Sequence, residues 1–166
     1  MSETVVDASY AYFVLTDPPV AGKATSAQIS RVSKKGGPIQ NLTKVAGEVS
    51  ALVVEGAELF FVLAPNDTDD DTLPSELVLH RLPIAGGKAQ PIKIDGIDQL
   101  GKYVVDKKSI YFATKKGVSR APRSGGLAEH YWDVGTGSVV AANGKIAYLE
   151  KSNDDMSVKF MPLVDR

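Results

Sequence analysis

Apolar positions along this chain come in short bursts, each closed by polar or glycine-containing hinges. "ALVVEG", "ELFFVLA", "KYVVD", "SIYFAT" and "KIAYLE" are rich in Val, Ile, Tyr and Phe and end at Gly, Asn, Asp or Lys. That is the pattern of short strands. No window of about 11 residues carries the i, i+3, i+4, i+7 stripe of an amphipathic helix. The second repeat resolves into four strands, Val49–Val54, Glu58–Leu63, Glu76–Leu82 and Ala89–Ile94. The third reads as Lys102–Val105, Ser109–Thr114, Val118–Ala121 and Leu127–Tyr131. The fourth offers Ser138–Ala142, Ile146–Glu150 and Ser157–Met161, with no outer strand. Glycine suits the hairpins because it takes positive φ without a Cβ clash.

The bursts recur. Glycine pairs stand at Gly36-Gly37, Gly86-Gly87 and Gly125-Gly126, with Arg31, Arg81 and Arg120 five residues before them. Aromatic pairs precede each arginine: Tyr12-Phe13, Phe60-Phe61 and Tyr111-Phe112. The second aromatic falls at Phe13, Phe61, Phe112 and, in degenerate form, Leu149, a spacing on the order of 40–50 residues. Four antiparallel strands repeated at that period describe a propeller blade. The expected fold is therefore all-β, with about four four-stranded antiparallel blades near residues 4–45, 48–94, 98–133 and 137–164. The last blade is incomplete, and the whole forms one propeller-type domain. Three forms stay open: part of a larger propeller, a subunit completed by assembly, or a small four-bladed ring.

"VVDKKSIYFATKKGVSRAPRSGG" and "VVEGAELFFVLA … LVLHRLPIAGGKAQPI" carry a further likeness. They resemble bacterial propeller-like repeats of the form V-D-x-x-x-[VI]-Y-[FW] … [RK]-x-P-x-x-G-G. The match is fullest from Val105 to Gly126. It departs at Ser33, where the proline would stand, and at Phe160, in place of the arginine. The resemblance implies blades, mostly without known activity and often extracytoplasmic.

Composition narrows the partners. Net charge is −1, from 19 basic and 20 acidic residues. Such a balance gives no footprint for nucleic acid or an anionic membrane. There is no cysteine, so thiolate chemistry and disulfides are excluded. No apolar run approaches the roughly 18 residues of a membrane span. Met1-Ser2-Glu3-Thr4 lacks the basic and apolar pattern of a leader. At 43% hydrophobic the chain can bury a core.

The two longest insertions, "TDPPVAGKATSA" and "APNDTDDDTLPS", both join a second strand to a third and so share one face. Repeat proteins often bind through such a face. Its candidate residues are Asp17, Lys23, Asp67 and Asp70, with Tyr131 and Trp132 at the end of a fourth strand. Asp67, Asp69 and Asp71 start like a Ca²⁺ loop, but Thr72 replaces the turn glycine and Val78 the bidentate glutamate. A solvated acidic loop is the better reading, and no metal or other cofactor is expected. His80 and His130 have no nucleophile at working spacing. The recurring arginines favour a structural role, with an anion-binding ring as the alternative.

No catalytic constellation stands out, so the expected function is a non-catalytic interaction or structural module within a larger assembly. The alternatives are a lyase or hydrolase on the long-loop face, and a glycan- or peptide-binding propeller. The third strand of the fourth repeat, with Ser157, Val158 and Phe160, is the expected edge for a protein partner or self-association. N-terminal residues of the first repeat are one candidate for pairing with it. Phe13, Phe61 and Phe112 are expected to be largely buried, and Tyr12, Phe60 and Tyr111 mostly covered, because alternate side chains face opposite neighbours.

Overall fold

A computed structural model describes residues 3–17, 25–64, 78–97, 102–114, 117–133, 139–142, 145–152 and 155–162. The described chain is all-β: seventeen strands and no helix. No helix among these residues is long and apolar enough to cross a membrane.

The chain forms two compact halves, Met1–Ile92 and Lys93–Arg166. The first half holds two antiparallel sheets. Sheet one is β1 (Thr4–Val6), β2 (Tyr10–Thr16), β3 (Ser26–Ser33) and β4 (Gln40–Ala46), in that order. Sheet two is β5 (Glu48–Glu55), β6 (Glu58–Ala64), β7 (Val78–Pro83) and β8 (Gln90–Ile92). Tyr12, Val14, Ala27, Ile29 and Leu42 of the first pack with Leu52, Leu59, Phe61 and Leu82 of the second. Each sheet in this stack has a forward side, that of Tyr12, and a backward side, that of Phe61.

The second half begins with β9 (Ile94–Asp95). Sheet three follows: β10 (Tyr103–Val105), β11 (Ser109–Thr114), β12 (Gly117–Pro122) and β14 (Glu129–Asp133). Between its last two strands lies β13 (Gly126–Leu127), which pairs in parallel with β9. Sheet four is β15 (Val139–Ala142), β16 (Lys145–Ser152) and β17 (Asp155–Pro162). Ile146 of sheet four packs with Tyr111 and Val118 of sheet three.

Several expectations change here. The outer strands expected at Ala89–Ile94 and Leu127–Tyr131 are each broken in two. The two fragments left over, Ile94–Asp95 and Gly126–Leu127, find each other instead. Pairing register aligns Tyr148, not Leu149, with Phe13 and Phe112: Thr4 faces Phe13, Tyr103 faces Phe112 and Val139 faces Tyr148. Phe61, Phe112, Phe60, Tyr12 and Tyr111 are buried, but Phe13 is only half-buried. Its side of sheet one also carries Val6 and Leu15, both well exposed. Thr4–Val6 is the first strand of sheet one, paired with β2, and among the described residues it pairs with no other strand.

Candidate functional site

The long-loop end is built around Gly47. Its N–H donates to the Thr25 carbonyl at 2.9 Å, which ties the base of the first long loop to the crossing from sheet one to sheet two. Its φ is 122°, and a Cβ there would collide with the carbonyl oxygen of Ala64, at the end of β6. Only glycine meets both demands. Asp17 stands beside this crossing. Its backbone N–H donates to the Ser26 carbonyl at 3.0 Å. Its carboxylate accepts from the Ser26 hydroxyl and from Lys44 Nζ, the latter at 2.9 Å. The Ser26 hydrogen bond first, then the Lys44 ammonium, hold this carboxyl below its ordinary range. Asp17 is thus ionised at neutral pH with its charge already matched. Lys23, Asp67, Asp69, Asp70 and Asp71 lie outside the described residues.

Tyr131 and Trp132 occupy β14, and both are half-buried. The Tyr131 ring meets Tyr111 edge-on at 5.4 Å between centroids, and the Arg120 guanidinium lies 5.1 Å from its centre. Both aromatics pack against the cluster of Tyr111, Val118 and Ile146. Through that cluster they help join sheet three to Ile146 of sheet four.

The arginines that mark the repeat turn out to be cross-strand struts. Arg31 sits opposite Gln40, Arg81 opposite Gln90 and Arg120 opposite Glu129. Nε donates to the glutamine at 2.8 Å from Arg31 and 3.3 Å from Arg81; Arg120 lies 3.6 Å from the Glu129 carboxylate. Arg31 also donates from Nη1 to the Ile84 carbonyl at 2.7 Å and lies over Tyr10. Ile84 belongs to the glycine hairpin of sheet two, so this strut crosses between sheets. The matching acidic or amide residue nine positions downstream was visible in the sequence, though sequence reasoning missed it.

Two aspartates do parallel work. Asp7 accepts from the N–H groups of Ser9 and Tyr10 at 2.6 and 2.7 Å and from the Tyr12 hydroxyl at 2.6 Å. Asp106 repeats this with Lys108, Ser109 and Tyr111 at 2.8, 2.6 and 3.3 Å. Burial first, then the adjacent aspartate, pushes the Tyr12 and Tyr111 hydroxyls up to about 12. Partial burial raises Asp7, but the bonds from Tyr12, Tyr10 and Ser9 outweigh it, and its carboxyl ends below the ordinary value. His80 stacks on Phe61 at 5.5 Å, and His130 is exposed. Among the described residues no group of three or more His, Asp or Glu side chains could hold a metal ion.

One contact occurs twice. The Gly87 N–H donates to the Leu42 carbonyl of β4 at 3.2 Å. The Gly126 N–H donates to the Lys93 carbonyl, just past β8, at 2.9 Å. In each case the second glycine of a Gly-Gly hairpin donates to a backbone carbonyl earlier in the chain, in β4 for Gly87 and just before β9 for Gly126. No protein-family model matches the chain, and no curated protein matches it either.

Proposed function

We propose that the chain is a non-catalytic interaction and structural module built of propeller-type blades, working inside a larger assembly. The recurring hydrogen bond from a glycine hairpin to a backbone carbonyl earlier in the chain carries the reading. Within the first half it ties the glycine hairpin of sheet two to β4 of sheet one, as blades stacked in sequence would require. The polar groups of the repeat support it. Asp7, Asp106, Arg31, Arg81 and Arg120 are engaged in turns and struts within the fold. The likeness of Val105–Gly126 to bacterial propeller-like repeats points the same way.

The test sets the purified chain against panels of lyase and hydrolase substrates and an oligosaccharide array. Neither turnover nor glycan binding is expected. Turnover abolished by Asp17→Ala would establish the enzyme reading in its place. Glycan binding abolished by Trp132→Ala would establish the glycan-binding one.

A further inference from the structure

We infer that the backward face of sheet one is the seat for sheet four of a second copy of this chain. In the first half, sheet two presents Phe61 and Leu59 toward sheet one, and both are fully buried there. The corresponding face of sheet one carries Val6, Ala11, Phe13 and Leu15, which alternate with the packed Tyr12 and Val14. On it Val6 is 57% and Leu15 50% exposed, and Phe13 is only half-buried. In the second half, the forward face of sheet three takes Ile146 from the backward face of sheet four. Strand register puts the opposite, forward face of sheet four at Ala147 with Phe160, and at Val158 two residues before it on β17. Val158 is 56% and Phe160 66% exposed.

One chain thus carries a backward face and a forward face, both apolar and both exposed. They are the two sides of the forward-to-backward contact that the chain already makes in each of its halves. A second copy supplies both missing neighbours at once. The contact is head-to-tail, so it joins unlike surfaces. Two copies bring eight main sheets, within the range of about 4–8 blades that close into propellers. A net charge of −1 does not oppose the association. This inference rests on the blade reading above. It differs from that reading in what defeats it, because it concerns mass and not turnover.

Sedimentation velocity on the purified chain reads the outcome. The wild type is expected to be a dimer. Leu15→Glu and Phe160→Glu each place a charge on one of the two faces and should weaken the dimer by about 30-fold or more, the size of an interface hot spot. Both positions are exposed, so folding should survive, as circular dichroism and melting will show; Val6→Lys and Val158→Lys are the second pair. Mixing the Leu15→Glu and Phe160→Glu proteins leaves one intact pair of faces and should restore a dimer. A wild-type monomer at every concentration overturns the inference. So does a dimer that survives both pairs of substitutions, or one broken from a single face only.

Discussion

At Asp7 a single carboxylate accepts from two backbone N–H groups and the Tyr12 hydroxyl, closing the turn between β1 and β2. Its lowered pKa means that the folded state holds the ionised form more tightly than the unfolded chain does. The stability from this group is full above the unfolded value of about 3.8 and disappears as pH falls below it. Denaturant melts across the acid range should show that loss in the wild type, and Asp7→Asn should flatten it. Tyr12 and Tyr111 behave oppositely. Their raised pKa favours the protonated hydroxyl, so their contribution is present below pH 10 and is lost as pH climbs toward about 12. Tyrosinate absorbance should therefore show two late-titrating tyrosines that become ordinary on unfolding. Gly47→Ala forces a β-carbon against the Ala64 carbonyl at positive φ and should cost about 2–4 kcal/mol in denaturant melts. The Asp-to-Tyr spacing was legible in "VVDKKSIYF" as part of a repeat. The demand on Gly47 was not, because it comes from a carbonyl seventeen residues away.

Between strands, the arginine struts and the paired phenylalanines divide the work unevenly. Arg31 holds Gln40, the Ile84 carbonyl and the Tyr10 ring, whereas Arg81 shows one long bond to Gln90. Arg31→Ala should cost about 1–3 kcal/mol because it also leaves a carbonyl without its donor, and Arg81→Ala should cost less. Chemical denaturation of the two variants side by side checks the order. Phe61→Ala empties a fully buried site and should cost about 3–5 kcal/mol, well above the same change at half-buried Phe13. Strand type and hairpin position could be read from apolar alternation and glycine placement, as Ser109–Thr114 illustrates. The breaks at Lys93 and Ala128 could not. Apolar-polar alternation runs on through Ile92-Lys93-Ile94-Asp95, no proline or glycine interrupts Leu127–Asp133, and the partner that interrupts each strand is the other fragment, far along the chain. Leu149 was taken as the aromatic position because it follows a tyrosine, but the pairing of β15 with β16, Ala142 opposite Lys145, moves the position to Tyr148.

At the scale of the whole molecule, each half has a core, around Tyr12, Ile29 and Phe61 in the first and around Tyr111, Val118 and Ile146 in the second. Hydrogen exchange should be slowest in β2, β3 and β6 of the first and in β11 and β12 of the second. Fast exchange in β6 or β11 would contradict the cores as drawn. The candidate site was less legible than the fold. Long loops mark an end of the sheets, but Asp17 gained meaning only once Ser26 and Lys44 were seen to fold onto it. Tyr131 and Trp132 could be read in the sequence as packing residues or as part of a binding face, because an exposed and a packed aromatic read alike there. The parallel pair of Ile94–Asp95 with Gly126–Leu127 bears on time rather than on strength. Every other ladder among the described residues joins strands close in sequence, which can zip as soon as their turns form. This one must wait until the intervening sheet-three strands have brought its ends together. It is therefore expected to form late in folding. Substitutions at Gly96, which lies against Leu127 and Ala128, should speed unfolding while leaving the folding rate nearly unchanged.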